Sequence, residues 1–335
     1  MIHSHGLWAP INHVAVKASR RLNIPYLISP RGMLSQWCRN QKAMRKSVAW
    51  WLYQRQDLQG MACAHATSHQ EASDLRTHGW NGKTLVVPNG CDVEHDSGNR
   101  PQTSMSDRKK QVTFLSRINP VKGIPLLVDA WDRIRPVGWR CVIAGPGDPR
   151  YVTELQKSVS DRGLSDVIEF KPAVYGSDKF DLLNESRIFV LPSHSENFGM
   201  AIAESLSMSV PVITTTGTPW CDLEKFGCGW WVDRTIDAFA CALRAATTSS
   251  PEMLTQMGQA GRELIRRKYA WKHVAHSMRD MYGETLGENV SPTEFSKYAQ
   301  PKIRAEHSQC LGDNKRASRP QLSSKSQSEL PPPGC

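Results

Sequence analysis

Two carboxylates with seven residues between them, Glu196 and Glu204, carry the clearest chemical signal in this sequence. The apolar run Arg187–Leu191 before them predicts a buried parallel strand, and the Ala-, Leu- and Met-rich residues after Gly199 predict a helix. A strand-to-helix turn offers free backbone N–H groups and the positive helix end, which favour an anionic phosphate. We expect the two carboxylates to accept hydrogen bonds from sugar hydroxyls beside that phosphate.

Two cations from an earlier strand can join this site. Arg117 follows the predicted strand Gln111–Ser116, and Lys122 precedes the next predicted helix. Both belong at the carboxyl edge of the sheet, where a guanidinium fork and an ammonium suit a diphosphate. Taken alone, the two cations favour a charged surface. The carboxylate pair downstream favours the diphosphate interpretation.

A glycine turn follows another predicted strand. Gly145 and Gly147 come directly after Arg140–Ala144, but Pro146 interrupts the loop and the third glycine of a dinucleotide motif is missing. We therefore favour a turn beside a nucleotide over a nicotinamide site.

Polar side chains also end two strands near the N-terminus. His3 and His5 come at the end of the first predicted strand, and Arg31 follows the second. An imidazole at that position can hydrogen-bond a reacting sugar. A surface or packed histidine explains the pattern equally well.

The composition allows two domains with substantial cores, since the chain has 335 residues of which 39% are hydrophobic. No apolar stretch reaches the ~20 residues of a membrane span. The first residues lack the basic start and apolar core of a signal peptide. The nine cysteines show no metal-ligand spacing, so we expect reduced packing residues of a cytosolic protein and no metal site.

The net charge of +10 is concentrated near the N-terminus. Residues 1–60 contain nine Lys or Arg and one acid, and Gln36–Gln56 contains no acid. A basic amphipathic helix with interfacial aromatics, predicted over 39–59, is typical of contact with an anionic membrane surface or an anionic acceptor. A solvated basic face over buried aromatics is the alternative. Nucleic-acid binding is not expected, because no recognised binding module accompanies the charge.

Strand and helix patterns alternate along the chain, which predicts an α/β fold. The predicted strands are 1–4, 25–29, 62–67, 84–87, 111–116, 140–144, 167–170, 188–191 and 210–214. The predicted helices are 10–22, 39–59, 69–78, 124–135, 151–162, 177–186, 199–208, 236–247, 251–268 and 271–285. We predict one domain over 1–93, a polar linker over 94–110, and a second domain over 111–286 whose last helix either stays there or returns to the first. The polar segment 287–335 is predicted to be disordered.

Together these segments resemble glycosyltransferase family 4, retaining enzymes with the GT-B fold of two facing Rossmann-like domains, and in particular a branch that builds bacterial exopolysaccharides and O-antigens. The segments that carry the similarity are His3–Gly6, Phe114–Gly123, Gly145–Gly147, Pro192–Glu204, Val210–Thr214, Thr216–Trp220, Gly227–Val232 and Tyr269–Trp271. The resemblance implies a hexosyltransferase-type enzyme that moves a sugar, with retention and without a metal or cofactor, from a UDP- or GDP-linked donor to a glycan or lipid-linked acceptor. It also implies a role in exopolysaccharide or lipopolysaccharide biosynthesis at the cytoplasmic face of the membrane.

The resemblance further implies a role for each candidate residue. Arg117 and Lys122 would neutralise the donor diphosphate, and Glu204 would hold the ribose. Glu196 would hold the donor sugar, and His5 would contact that sugar near its anomeric carbon. The other donor-binding positions implied are Asn197, Phe198, Gly199, Met200, Gly145 and Gly147.

The N-terminal region departs from the family pattern. Family members carry several βα units before the segment that matches Ile2–His5, including a glycine-rich loop at the diphosphate. We therefore expect a truncated first domain with about four strands, against about six in a complete Rossmann sheet, and a chain that binds a nucleotide sugar but transfers it poorly. A non-catalytic nucleotide-sugar-binding protein is the alternative function.

Overall fold

The computed structural model of the protein describes residues 1–92 and 103–287. About half of the predicted linker and nearly all of the predicted disordered tail lie outside these ranges.

Strands and helices alternate through the first described range in β1 (Ile2–His5), α1 (Pro10–Leu22), β2 (Tyr26–Ser29), α2 (Gln36–Asn40), α3 (Ala43–Ala49), α4 (Arg55–Gln59), β3 (Cys63–Ala66), α5 (His69–Thr77) and β4 (Thr84–Val86). The strands pair in parallel in the order β1-β2-β3-β4. Because side chains alternate across a strand, Tyr26 and Ile28 pack in the cluster that contains Leu58 and Leu75, whereas Leu27 packs in a separate cluster.

The second described range holds β5 (Lys109–Leu115), α6 (Ile124–Ile134), β6 (Arg140–Ala144), α7 (Pro149–Asp161), β7 (Ile168–Lys171), α8 (Gly176–Glu185), β8 (Ser186–Leu191), α9 (Met200–Ser207), β9 (Val212–Thr215), α10 (Asp222–Lys225), β10 (Gly229–Val232), α11 (Ile236–Thr248), α12 (Pro251–Leu264) and α13 (Trp271–Leu286). Its sheet is parallel in the order β10-β9-β8-β5-β6-β7. The core is filled by large, fully buried side chains such as Phe114, Trp131, Phe189 and Phe239. Because the strands of this sheet are parallel, their carboxyl ends lie at one edge, where we expect the predicted site residues.

The last helix leaves the second sheet and packs on the first. Val274 and Met281 of α13 join Leu27, Cys63 and Val87 in one buried cluster. An ion pair of 2.7 Å between Lys83 Nζ and Glu284 Oε2 borders this contact. Residues from both ends of the described chain thus complete the back face of the first sheet.

The prediction of one continuous helix over 39–59 is wrong. The chain breaks after α2, where Lys42 adopts the left-handed backbone region at φ 53°. A π-helical turn, Trp50–Gln54, then joins α3 to α4. The edge strand β10 was not predicted, because its four residues are all half-buried and give no alternating pattern.

Candidate active site

Two cavities meet at Glu196. The sheet-edge cavity, of about 520 Å³, lies at the carboxyl ends of β5, β6 and β8 and includes Arg117, Lys122, Gly145, Lys179, Glu196, Gly199, Met200 and Glu204 in its lining. The inter-sheet cavity, of about 400 Å³, lies between loops and helices that flank the two sheets. Its lining includes Trp37, Asn40, Gln70, Asp74, His194, Glu196, Asn197, Gly217 and Arg234. Both volumes fall in the range of small-molecule sites. Glu196 forms part of the wall of each.

Glu196 and Lys122 form an ion pair inside the sheet-edge cavity. Lys122 Nζ donates to Glu196 Oε1 at 2.5 Å, and Ser193 Oγ donates to the same oxygen at 2.6 Å. Each charged side chain is only 10% exposed. The structure therefore brings together two predicted site residues and restrains both.

Glu204 has a second lysine as its partner. Lys179 Nζ, from α8, donates to Glu204 Oε1 at 2.8 Å, and both side chains line the sheet-edge cavity. Sequence reasoning missed Lys179, because a single lysine in a helix without a surrounding motif gives no functional signal. Arg117 lies in the same cavity with its side chain exposed, which leaves its guanidinium accessible to a ligand.

Glycines let the loops of this cavity pack backbone against backbone. A Cβ on Gly145 would lie 1.8 Å from the Ser116 carbonyl oxygen, and one on Gly123 would lie 2.0 Å from that of Pro192. Gly147 packs against Ile118 and is not among the residues that line either cavity. Its position supports the shape of the loop rather than direct contact with a ligand.

The turn before α9 is anchored by an aromatic side chain. Phe198 is buried with its ring against Trp220 and Tyr269. The indole N–H of Trp220 donates to the Phe198 carbonyl oxygen at 2.5 Å. Only the backbone of Phe198 is therefore left for a ligand, beside the amide groups of Gly199 and Met200 at the start of α9.

Asn197 faces the first sheet instead of the sheet-edge cavity. Its carbonyl oxygen accepts a hydrogen bond of 3.4 Å from Thr67 Oγ1, and its side chain packs beside Gly32. Glu71 secures these loops by accepting from the Gly32 amide at 2.6 Å and the Thr67 amide at 2.7 Å. Burial raises the pKa of Glu71. The spacing from the helix-capping Ser68 to Glu71 is a capping-box signal that sequence reasoning missed.

His5 does not line the sheet-edge cavity that holds Arg117 and Lys122. It ends β1, and its Nδ1 accepts from Arg31 Nη2 at 3.1 Å. It is not among the residues that line either cavity. Burial and the charge of Arg31 lower its pKa. The structure thus groups Arg117, Lys122, Glu196 and Glu204 but leaves His5 on the first sheet.

Protein-family comparison agrees with this architecture. A family model described as "Glycosyl transferases group 1" matches residues 97–264, half of the chain. The chain belongs to this family. A second model, "Glycosyl transferase 4-like domain", matches residues 1–90.

Named relatives in this glycosyl transferase family are distant. The chain is 27% identical to a GDP-mannose:cellobiosyl-diphosphopolyprenol alpha-mannosyltransferase of Xanthomonas oryzae pv. oryzae, over 60% of this chain and 53% of that protein. It is 28% identical to a D-inositol 3-phosphate glycosyltransferase of Streptomyces griseus, over 52% of this chain and 39% of the relative. The chain thus spans about half the length of the relatives it matches.

Solved structures of glycosyltransferases share the fold. Sucrose-phosphate synthase from Thermosynechococcus elongatus matches with a TM-score of 0.69 at 20% identity, covering 85% of this chain and 74% of that one. Anabaena HepE, solved in complex with UDP-glucose, matches with a TM-score of 0.67 at 20% identity, covering 85% and 78%. The predicted GT-B class, with two parallel-sheet α/β domains, is confirmed.

Proposed function

We propose that this protein transfers a sugar from a nucleotide-linked donor to a carbohydrate or lipid-linked acceptor. The observation that carries the proposal is the sheet-edge cavity, which combines three cations with two carboxylates. The cations suit a diphosphate, and the carboxylates suit sugar hydroxyls. The names of the relatives, a mannosyltransferase and an inositol phosphate glycosyltransferase, and the UDP-glucose in HepE support this chemistry.

The carboxylates each keep one oxygen for a ligand. Lys122 and Lys179 occupy Oε1 of Glu196 and of Glu204. Among the described residues, Oε2 of either carboxylate accepts no hydrogen bond. We assign Oε2 of Glu204 to the ribose and Oε2 of Glu196 to the donor sugar.

In the proposed reaction, Arg117 and Lys122 stabilise the charge that develops on the departing diphosphate. This electrostatic stabilisation is the largest catalytic contribution we assign to the chain itself. The bond from the anomeric carbon to the diphosphate breaks, and the acceptor oxygen bonds to the same face of the sugar. This front-face substitution retains the anomeric configuration, as in family 4, and the departing phosphate oxygen takes the acceptor proton.

The acceptor sugar is assigned to the inter-sheet cavity. Trp37 contributes an aromatic face there, held by stacking on His194 with ring centroids 4.9 Å apart. Asn40, Gln70 and Asp74 supply amide and carboxylate oxygens that suit sugar hydroxyls. Because Glu196 lines both cavities, a donor sugar in one and an acceptor sugar in the other would both lie beside that residue. The finer role, in bacterial surface polysaccharide synthesis, follows from the resemblance.

An exposed apolar stripe supports peripheral contact with an anionic membrane through 36–56. Trp51 is 72% exposed, whereas its neighbour Trp50 packs against the core, and Arg55 lies 5.3 Å from the Trp51 ring. Within residues 1–92 and 103–287, each helix is too short or too polar to cross a bilayer. The exposed apolar side chains follow helical spacing: Met44, Val48, Trp51 and Leu52.

Vesicle binding tests this contact. The chain should cosediment with vesicles containing anionic phosphatidylglycerol and not with neutral phosphatidylcholine vesicles. Replacing Trp51 and Leu52 together by Ser should weaken the binding, whereas Val137→Ser, at another strongly exposed apolar position, should not. Equal binding of both variants would contradict the assignment.

Donor binding tests the proposed function. A thermal-shift panel of UDP- and GDP-sugars should reveal a ligand that stabilises the folded chain. Arg117→Gln should weaken the apparent donor affinity obtained from that shift at least tenfold. Arg140→Gln, at the amino end of β6, should leave the affinity unchanged. A panel without any stabilising donor would overturn the proposal. Binding without transfer or donor hydrolysis would favour the non-catalytic alternative.

A further inference from the structure

Three histidines lie near the carboxyl edge of the first sheet, and their hydrogen bonds define where each ring carries its proton. His65 Nε2 lies 2.8 Å from the Val87 carbonyl oxygen, which only accepts, so Nε2 is protonated. The other nitrogen of the neutral ring, Nδ1, must then accept. It lies 2.6 Å from Ser29 Oγ, which therefore donates its proton to His65.

The tautomer of His3 follows from the same hydrogen bonds. Because the Ser29 hydroxyl donates to His65, its oxygen accepts from His3 Nε2 at 2.7 Å. His3 Nδ1 then carries a lone pair, and the Tyr282 hydroxyl donates to it at 2.9 Å. The chain of bonds runs in one direction from α13 to the end of β4. Both histidines are neutral with the proton on Nε2, and burial is the main reason that the pKa of each is lowered.

A different neighbour, Arg31, determines which nitrogen of His5 carries the proton. Arg31 Nη2 and Nε lie 3.1 Å and 3.3 Å from His5 Nδ1. A guanidinium stays charged and only donates, so Nδ1 must be the accepting nitrogen. A proton on Nδ1 would oppose these donors, and a ring protonated on both nitrogens would add a second cation. The rings facing His5 are His3, at a centroid distance of 4.2 Å, and beyond it His65 and Tyr282, which are neutral.

Arg31 is itself held firmly in place. Its Nη1 donates to Asn89 Oδ1 at 2.8 Å. Its backbone adopts φ 55°, a left-handed conformation that is strained for a residue with a side chain. The neighbouring Gly32 amide is bound by the Glu71 carboxylate. The Asn89 bond to the guanidinium and the Glu71 bond to the next amide hold Arg31 with its guanidinium directed at His5.

We propose that Arg31 is a positioning residue that fixes His5 as the neutral tautomer protonated on Nε2, so that His5 acts as a hydrogen-bond donor and not as a base at neutral pH. The His5 side chain is exposed, and among the described residues its Nε2 has no hydrogen-bond partner. Nε2–H is therefore free to donate to a ligand oxygen. That the ligand is the donor sugar rests on the proposed function, whereas the tautomer does not.

Nitrogen NMR of the side chains measures the tautomer directly. In the full chain labelled with ¹⁵N-histidine, two-bond ¹H–¹⁵N spectra at pH 7.5 should show His5 protonated on Nε2, with His5→Gln used to assign its signals. A proton on Nδ1, or a charged ring, would overturn the proposal without any variant at Arg31. This measurement needs no nucleotide sugar, so its outcome is separate from that of the proposed function.

The second test follows the titration of His5 in variants of Arg31. In Arg31→Met, the pKa of His5 should rise, although burial still holds it below its ordinary value, whereas Arg31→Lys should keep the more strongly lowered pKa. The control Arg76→Met, at an exposed arginine of α5, should behave as the unmodified chain. An identical His5 titration with and without Arg31 would refute the positioning role.

Discussion

Lys122 and Glu196 show that residues predicted to bind a ligand also pair with each other. Their ion pair lies in a nearly buried position, whereas the pair of Lys109 with Glu185, which has an Nζ–Oε2 distance of 2.7 Å, has side chains that are 64% and 48% exposed. Removing one member of a buried pair leaves the other charge without compensation, which is far more costly than at the surface.

Lys122→Met should therefore lower the free energy of unfolding by roughly 3–5 kcal/mol. The matched surface change Lys109→Met should cost less than about 1 kcal/mol. Urea unfolding of both variants checks the difference. Equal costs would show that Glu196 is well solvated without its lysine.

The site residues that sequence reasoning found belong to short local motifs. Glu196 and Glu204 are recognisable because one turn and one helix hold both. Lys179 was not, since it reaches Glu204 from a different helix. Arg31 was noticed only for its location, because its contact with His5 depends on the pairing of β1 with β2. Partners brought together by strand pairing leave no spacing in the sequence that identifies them.

At the scale of elements, the loop after β5 packs on the loop after β8 through Gly123. The residue has φ 68°, and a Cβ there would overlap the Pro192 carbonyl oxygen. Gly138 offers a close comparison, because it has φ 75° but a Cβ added to it would meet no neighbouring atom within 4 Å. The two glycines differ in crowding and share the backbone strain.

Gly123→Ala should destabilise the protein by several kcal/mol more than strain alone, which costs roughly 1–2 kcal/mol. Gly138→Ala should cost only that strain. Thermal unfolding of the two variants gives the comparison. If both lose the same stability, the loops can separate without penalty.

The docking of α13 gives a second prediction at this scale. Tyr282→Phe removes the hydroxyl that donates to His3 Nδ1 and leaves that nitrogen without its donor, at a cost of about 1–3 kcal/mol. Tyr175→Phe, at a largely exposed tyrosine, should change stability little. Urea midpoints measure both. A neutral Tyr282→Phe would mean that water replaces the hydroxyl.

Most elements were predictable because hydrophobic periodicity is local. The strand Arg140–Ala144 has the predicted bounds. The helix over 39–59 was not predicted correctly, since its amphipathic pattern continues through Lys42 although the backbone there turns left-handed. A backbone break set by packing is invisible to a pattern of residue types.

At the scale of the whole molecule, the neutral histidines couple stability to pH. The pKa of His3 is lowered to about 3 and that of His65 to about 4, chiefly by burial. Below the unfolded value of about 6.5, the unfolded chain binds more protons than the folded one. The stability they contribute is therefore fully present above pH 6.5 and is lost as the pH falls.

The free energy of unfolding should decrease between about pH 6.5 and 4. Urea unfolding at several pH values measures the slope, which His65→Gln should reduce. His276→Gln, at an exposed position, should leave it unchanged. A slope that does not respond to His65→Gln would assign the acid sensitivity to other groups.

The path of α13 has a consequence for the order in which the chain can fold. Leu27, Cys63 and Val87 are covered by Val274 and Met281, which follow Val87 by roughly 190 residues. At about 5–20 residues per second, a ribosome needs roughly ten to forty seconds to supply them. During that interval the nascent first sheet has an uncovered apolar face. We expect this window, more than the finished fold, to determine whether the chain needs a chaperone during synthesis.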